Sequence, residues 1–287
     1  MRALMGALSL LAAISAARAD DAYTLPAVGA QLTFRIISTS KIGDHTTTTT
    51  GQIYTYTITA VNGSDIEGTI RPLAMISSCP QGSDPREDCI KIAKMAGAKR
   101  DGDLLTVPVP DAIAGALSKL SSYKGHYFMV EERIFAVPGP KDSADPNDVE
   151  FGDEPLFVLT NQLNCDYRPL AGFFPIGKTP LLSLDCHNVF SRTRSRIAPM
   201  NDRTQDEPMA VQLSPLGADK LSLPSGDWDV QKVAIKYVPT DPSHPTAEGE
   251  SDVATKLGIT VKSHSMVSNK ATNLTVESTS EMIAYKP

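Results

Sequence analysis

The chain of 287 residues has 27 basic and 33 acidic side chains, a formal charge of −6, and 41% hydrophobic residues. This mild acidity provides no broad electrostatic surface for nucleic acid, and the composition is that of a globular protein, not of a disordered one. The length is sufficient for one large β domain or two smaller ones.

The N-terminal segment has the pattern of a secretory signal peptide. Arg2 gives the positive start, Ala3–Ile14 is apolar, and Ala17-Arg18-Ala19 fits an A-x-A cleavage site. The apolar run is shorter than the ~20 residues that a membrane span needs, which disfavours the alternative of an uncleaved anchor. We therefore expect cleavage after Ala19 and a periplasmic or secreted protein with no transmembrane span in the mature chain.

Four cysteines follow the predicted cleavage site, namely Cys79, Cys89, Cys165 and Cys186. An even number in an exported protein favours disulfides, and of the three connectivities we expect the local one, Cys79–Cys89 and Cys165–Cys186. A zinc site is the alternative, but the C-x-x-C pairs typical of such sites are absent. The sequence therefore predicts two disulfides, no metal and no cofactor.

Three strands are predicted in the N-terminal part, residues 31–76. Gln31–Ser38 and Gln52–Val61 alternate in hydrophobicity, which is typical of strands with one buried face. Asn62-Gly63 is a strong hairpin signal, and Asp65–Ile76 follows it as the third strand.

The middle segment, residues 79–225, differs in composition because it contains 15 of the 21 prolines. One helix is predicted after an N-cap at Asp84, and a second from Asp111, with Leu117 and Leu120 on its apolar stripe. We expect this segment, with both disulfides, to be a helix and loop excursion that covers one face of a sheet.

Shorter strands are predicted within the excursion, at Gly125–Val137, Leu156–Thr160, Asn188–Ile197 and Met209–Leu213. The acidic loop at residues 142–154 is either solvated or a weak calcium site. Gly172–Thr179 matches the letters of a P-loop, but its prolines and phenylalanines exclude a phosphate-binding loop and indicate contact with the core or with an apolar ligand.

An arginine stripe is predicted on the strand at residues 188–197, where alternation places Arg192, Arg194 and Arg196 on one face. Such a face would bind an anionic surface, for example phospholipid head groups or an acidic polysaccharide. The alternative is a solvated edge strand whose charges prevent aggregation.

The C-terminal part, residues 226–285, contains three predicted strands, at Asp229–Val238, Val253–Val267 and Asn273–Tyr285. A bulge near Gln231–Lys232 is needed to bring Trp228 and Ile235 to the same face. Leu257-Gly258 indicates a local kink.

This C-terminal part resembles the end of periplasmic lipoprotein-carrier-like half-barrel proteins, a group with many uncharacterised exported members. The resemblance lies in the strand Asp229–Val238, the run Leu257-Gly258-Ile259-Thr260-Val261 and the final strand, and the strands from Phe34 onward are compatible with it. No catalytic motif is involved, and the cysteine-containing middle departs from the pattern. The resemblance implies a curved antiparallel sheet around an apolar cavity, partly plugged by helices, with lipid or lipoprotein binding and no catalysis.

We therefore predict a mainly β fold over residues 20–287, a half-barrel-like antiparallel sheet built from strands 31–76 and 226–285. The expected function is non-enzymatic binding of an apolar or amphiphilic envelope molecule. The predicted cavity lining comprises Phe34, Tyr54, Tyr56, Leu117, Leu120, Trp228, Ile235 and Tyr237. The alternatives are an envelope interaction protein that binds a protein or an anionic polysaccharide, and a secreted hydrolase with a titratable cluster near His126 or His187.

Overall fold

The computed structural model describes residues 23–80, 87–126, 128–140, 151–173, 176, 179–194 and 203–287. The predicted signal peptide lies outside the described residues. Strands dominate this part of the chain, so the mainly β class is confirmed.

The elements of the N-terminal part are β1 (Gln31–Ile42), β2 (His45–Asn62) and β3 (Asp65–Ser78). Those of the middle segment are α1 (Glu87–Ala93), β4 (Lys99–Asp101), β5 (Leu104–Pro108), α2 (Asp111–Leu120), β6 (Ser122–His126), β7 (Met129–Pro140), β8 (Phe151–Cys165), a 3₁₀ turn (Arg168–Phe173), β9 (Leu182–Arg194) and β10 (Arg203–Leu223). Those of the C-terminal part are β11 (Gly226–Pro239), β12 (Thr246–Ala254), β13 (Thr260–Asn269) and β14 (Leu274–Lys286).

The antiparallel sheet closes on itself. Its strands follow the order β2-β1-β14-β13-β12-β11-β10-β9-β8-β7-β6-β3, and β3 pairs again with β2 to complete a ring of twelve. The far half of β3 pairs instead with β5, which carries β4. The predicted curved antiparallel sheet is therefore confirmed, and it forms a barrel in which each of these twelve strands has a partner on both sides.

The middle segment is not the predicted helix and loop excursion, because β6 to β10 form the barrel wall between β3 and β11. Its prolines are compatible with this role because several fall at irregular positions, where no ladder hydrogen bond is lost. Pro138 and Pro140 lie at register shifts between β7 and β8, and Pro215 lies beside a shift between β10 and β11. As a result β10 has 21 residues, although only Met209–Leu213 was predicted.

Two predicted strands are each divided into a pair. Gly125–Val137 forms the end of β6 and most of β7, and Val253–Val267 forms the end of β12 and most of β13. Between β12 and β13 the predicted kink is a turn in which Gly258 has a φ of 63°. A side chain at this position would meet the ring of Tyr23 at 2.9 Å, so both backbone conformation and space favour glycine.

The helices partly match the prediction. The described part of the first begins at Glu87, and its predicted cap lies outside the described residues. The second spans Asp111–Leu120, but Asp111 is helical and Pro110 occupies the N-cap position; the carboxylate of Asp111 instead accepts a 2.9 Å bond from Arg71. In this part of the chain no helix is long and apolar enough to cross a membrane.

Two large clusters of buried side chains form the core. One gathers residues of β8 to β12 around the 3₁₀ turn and includes Leu163, Leu184, Val211, Val233 and Phe173. The other gathers β1 to β3 with β13 and β14 and includes Leu32, Phe34, Tyr56, Ile66 and Met282. The burial of Phe173 confirms the predicted core contact of the phenylalanine-containing loop.

Both predicted disulfides are present. Cys79–Cys89 has a Cα–Cα distance of 5.5 Å and joins β3 to α1. Cys165–Cys186, with 4.1 Å between Cα atoms, links directly opposed positions of β8 and β9 and lies in the first core cluster. Disulfides are typical of proteins that fold outside the reducing cytoplasm.

Removal of the wall disulfide should lower stability markedly. The Cys165→Ala/Cys186→Ala double variant opens a loop with a sequence separation of 21, so its free energy of unfolding should fall by about 3 kcal/mol. Urea unfolding followed by circular dichroism measures this, with Cys79→Ala/Cys89→Ala as the comparison. A loss below about 1 kcal/mol would contradict a structural role for the wall disulfide.

Candidate functional site

One arginine projects into the barrel interior. Arg133 on β7 lies opposite Tyr123 on β6, which in turn lies opposite Gly68 on β3, between the buried side chains of Ile66 and Ile70. Residues opposed in adjacent strands share a face of the sheet. Arg133 and Tyr123 therefore lie on the face that carries the core.

The electrostatic neighbours of Arg133 show that this face is the concave one. The side chain interacts with Tyr54 and Tyr56 of β2, Tyr123 of β6 and Tyr237 of β11. Because β2 and β11 are five strands apart in the ring of twelve, only a side chain in the interior reaches both. We call these five residues the Arg133 cluster.

The tyrosines of the Arg133 cluster pack as edge-to-face and tilted pairs. Tyr54 and Tyr56 have ring centroids 4.7 Å apart, and Tyr56 and Tyr123 are also 4.7 Å apart. Tyr56 and Tyr123 belong to strands separated by β3, on which Gly68 lies opposite Tyr123 and Ile70 lies opposite Tyr56. Such pairs add about 0.5–1.5 kcal/mol each beyond their buried area, so the cluster is well ordered.

Within the described ranges the guanidinium of Arg133 has no counterion. It forms no hydrogen bond or salt bridge with any described residue, and its Nε is buried without a partner. The hydroxyl of Tyr56 is also buried and unbonded among the described residues. Interaction with Tyr56, and then with the other tyrosines, raises the pKa of Arg133 and outweighs the opposing effect of burial. The site is therefore a fixed positive charge.

The surrounding tyrosines cannot neutralise this charge near pH 7. Burial is the main cause that raises the pKa of Tyr54, Tyr123 and Tyr237. Their hydroxyl groups therefore stay protonated and can donate hydrogen bonds.

Two acidic side chains on the inner face, Glu131 and Glu207, each lie beside a basic side chain, although one oxygen of each is buried without a hydrogen bond to a described residue. Glu131, two residues before Arg133, lies 3.2 Å from the Nζ of Lys124. Glu207, on the inner face of β10, lies 2.8 Å from Nδ1 of His244.

A row of opposed residues leads from the cluster to solvent along the inner face. Arg133 lies opposite Asn161 of β8, Asn161 opposite Phe190 of β9, and Phe190 opposite Gln205 of β10. Arg133 is half-buried, Asn161 and Gln205 are exposed, and Phe190 is 36% exposed. The interior is therefore filled around the tyrosines and accessible beyond Arg133. We call Arg133, Asn161, Phe190 and Gln205 the inner row.

The predicted cavity residues divide among several environments. Phe34, Tyr54 and Tyr56 are buried in the second core cluster, and Trp228 packs against it, with its ring 5.7 Å from that of Tyr285. Ile235 and Tyr237 pack against the first cluster, and Leu117 and Leu120 are half-buried on α2, which lies against β3, β7 and β8. Of the predicted set, the structure thus brings Tyr54, Tyr56 and Tyr237 together around Arg133.

The predicted bulge in β11 has a different origin. The extra residue lies in the partner strand, between Pro215 and Gly217 of β10, opposite Lys232 and Val233.

The arginine stripe lies only partly within the described residues. Arg192 and Arg194 are on β9, where backbone alternation continues the face of the buried Leu184 and Cys186; their side chains, and all of Arg196, lie outside the description. Because β9 pairs with β8 and β10, it is not the edge strand of the alternative interpretation. Anion binding by the stripe stays a prediction.

The acidic loop, predicted to be solvated or a weak calcium site, falls largely on residues 141–150, which are not described.

Ser64, Asp65 and His126 come together, but not as a nucleophile and base. Nδ1 of His126 lies 2.5 Å from Asp65, and the hydroxyl of Ser64 is 3.5 Å from Nδ1 and 3.4 Å from Nε2. A hydroxyl equally distant from both ring nitrogens does not lie along the Nε2 lone pair, which a general base requires. The imidazole also stacks on Tyr167, with centroids 4.6 Å apart, so the group ties the β2–β3 turn to the barrel wall.

The other predicted sites show no catalytic arrangement among the described residues. His187 forms an exposed 2.9 Å pair with Asp206. In the described ranges no group of three or more His, Cys, Asp or Glu side chains is placed to hold a metal. A recess of about 80 Å³ lies on the outer surface between Arg35, Lys262 and Glu281, away from the predicted lining.

Comparison with known proteins gives no family assignment. No protein-family model matches the chain, and no curated protein matches it. The chain is similar to the crystal structure of the hypothetical lipoprotein YmcC from Escherichia coli K12, with a TM-score of 0.38 and 8% identity over 87% of each chain. It is also similar to a candidate exported protein with a YmcC-like fold from Bacteroides fragilis NCTC 9343, with a TM-score of 0.34, 11% identity, and coverage of 93% of this chain and 100% of that one. With such low TM-scores and identities, these similarities give no information about a ligand.

A matched pair of glycine substitutions tests the packing of the cluster. A methyl group on Gly125 would lie 2.3 Å from the Tyr123 hydroxyl and 3.0 Å from the Met129 carbonyl, whereas one on Gly115 of α2 meets nothing within 4 Å. Gly125→Ala should therefore destabilise by about 1–3 kcal/mol, and Gly115→Ala should stabilise by up to ~1 kcal/mol. The urea concentration at the midpoint of unfolding shows whether each variant is less or more stable than the unmodified protein. Equal effects of the two changes would contradict the packing of Gly125 against Tyr123.

Alkaline titration tests the protonation of the tyrosines. Burial raises the pKa of Tyr54, Tyr123, Tyr167 and Tyr237, so their neutral forms are favoured in the folded state. The associated stability is complete below the unfolded-state pKa of about 10 and is lost as pH rises through the folded-state values. Absorbance at 295 nm should show these four ionising only together with unfolding. Titration of all eight tyrosines near pH 10 with the fold intact would contradict the raised pKa of these four side chains.

Proposed function

We propose that this protein is an exported, non-enzymatic binding protein that takes an apolar or amphiphilic envelope molecule into its barrel. The observation that supports this most directly is the inner row. Its exposed Asn161 and partly exposed Phe190 lie on the same face as the buried core, so part of this inner surface is accessible to a ligand. Clefts that are mostly apolar, with a few polar groups, are the usual form of small-molecule sites.

The composition of the wall supports a ligand with apolar character. Phe190 is a large aromatic side chain on an inner surface, where contact with an apolar group would remove it from water. Asn161 and Gln205, on either side of Phe190, add polar amide groups to the same surface. A ligand that lies along the inner row would therefore meet both apolar and hydrogen-bonding groups.

Two further observations favour a binding role outside the cytoplasm. Both disulfides suit an oxidising compartment, which we propose is the periplasm. The Ser64–His126 geometry lacks the alignment of a catalytic pair, which favours binding over hydrolysis.

Blocking the inner row should weaken ligand binding. Asn161→Trp places an indole across the exposed inner surface, whereas Thr160→Trp places the same group on the outer face of the same strand. The affinity for an apolar fluorescent probe such as N-phenyl-1-naphthylamine should fall by about tenfold or more, ~1.4 kcal/mol, in the first variant only. Equal effects of the two variants would contradict binding along this row.

Native mass spectrometry of the mature protein, followed by organic extraction, provides an independent readout. The expected result is a lipid-like mass that extraction removes. A clean apo mass, together with no probe uptake by the unmodified protein, would contradict the proposed function and favour the interaction-protein alternative.

A further inference from the structure

We propose that Arg133 is the anchor for an oxyanionic head group, a carboxylate or a phosphate, on the amphiphile that occupies the barrel. This inference rests on the proposed function and specifies its ligand. The structural basis is the position of a guanidinium, paired with no described residue, at the junction between the packed tyrosines and the accessible inner row.

An interior arginine without a counterion is unfavourable for the protein alone. Desolvation of a charge costs several kcal/mol unless an opposite charge or a full set of hydrogen bonds compensates it. Arg133 has neither among the described residues. Glu131 and Glu207 lie beside Lys124 and His244, although the buried Oε2 of Glu131 and Oε1 of Glu207 make no hydrogen bond. Because no described residue supplies the counterion of Arg133, we assign this role to a bound ligand.

The chemistry of the site selects the class of counterion. A guanidinium offers a planar fork of N–H donors that matches two oxygens of a carboxylate or phosphate, and such charge-assisted bonds are among the strongest in proteins. The hydroxyl group of Tyr56 provides an additional hydrogen-bond donor in the same cluster. No described side chain of the cluster is an acid that would repel an anion.

The surroundings favour an anion with an apolar tail over a free anion. The inner row leads from Arg133 past the partly exposed Phe190 to solvent. A ligand whose head binds Arg133 would place the rest of its length along this aromatic surface and bury it. A free oxyanion would gain only the polar contacts.

Ligands that share a tail and differ in the head test this assignment. Dodecanoate and dodecyl phosphate carry the proposed head groups, dodecanol has the same tail without charge, and acetate and inorganic phosphate have the charge without a tail. Displacement of N-phenyl-1-naphthylamine gives their affinities for the unmodified protein. The two charged amphiphiles should bind roughly 10- to 100-fold more tightly than dodecanol, the range expected for hydrogen bonds to a charged group.

The variant Arg133→Met removes the charge but keeps an unbranched side chain of similar length. It should lose the preference for the charged amphiphiles, so that dodecanoate, dodecyl phosphate and dodecanol bind to it with similar affinities. Arg71→Met is the matched control, because Arg71 is paired with Asp111 on the surface and should not affect the preference.

Thermal unfolding separates a binding role from a structural one. Without ligand, Arg133→Met should be at least as stable as the unmodified protein, since an unpaired interior charge has been removed. Dodecanoate should raise the Tm of the unmodified protein more than that of the variant. A large loss of stability in ligand-free Arg133→Met would overturn the proposal, because it would assign Arg133 a structural role.

The remaining outcomes are also decisive. Equal affinity of dodecanoate and dodecanol, with both bound along the inner row, would overturn the anchor but leave the proposed function intact. If none of the amphiphiles binds, both the anchor and the proposed function are overturned. If inorganic phosphate binds as tightly as dodecyl phosphate, the anchor recognises a free oxyanion and the amphiphile is excluded as its ligand.

Discussion

The pairing of β3 with β2 on one side and with β6 on the other is the constraint on which the rest of the structure depends. The β2–β3 hairpin turns at Gly63 and Ser64, and the opposite edge of β3 joins the last strand of a wall that began at β1. Without this junction the sheet would have two free edges and no interior. With it, side chains from strands far apart in sequence share one enclosed volume of low dielectric constant.

Closure of the sheet also explains why the Arg133 cluster is unusual. In an open sheet, Arg133 would extend into water, where a charge needs no partner. In the ring it lies among tyrosines of β2, β6 and β11, and burial raises the pKa of Tyr54, Tyr123 and Tyr237 so that their hydroxyl groups stay neutral. Among the described residues the fold thus creates a positive site without its counterion, and access along the inner row is what makes an external counterion physically reasonable.

Local patterns in the sequence predict much of the fold. Alternation identifies β1, β2 and β14, the Asn62-Gly63 signal locates the hairpin, and the spacing of the cysteines favours the observed disulfides. Closure was not predictable in this way, because the pairing of β3 with β6 depends on register between strands that the two helices and β4–β5 separate. Proline content was misleading in the middle segment, since bulges let β7, β8 and β10 accommodate it.

The site shows the same division between local and non-local information. Tyr54, Tyr56 and Tyr237 were predicted as interior residues from alternation, and they are part of the cluster. Arg133 and Tyr123 were not predicted as site residues, because Gly125–Val137 was interpreted as one strand and neither of its faces was assigned to the interior. A register shift between Lys124 and Gly125 and the turn that separates β6 from β7 determine which residues face inward. The sequence signal was an arginine directly before the apolar run Ile134–Val137, which is too common to single out an interior charge.

The geometry of the inner row also limits the size of what can bind. The first core cluster, with Leu170 and Phe173 fully buried, fills the interior at the end where β8 and β9 are joined. The accessible part of the row runs from β7 to β10, three strand spacings or at most roughly 14 Å across the wall. A ligand with its head at Arg133 would therefore bury only a short apolar segment before it reaches solvent. This favours an amphiphile with one chain, or one whose further length continues outside the barrel, over a bulky molecule enclosed on all sides.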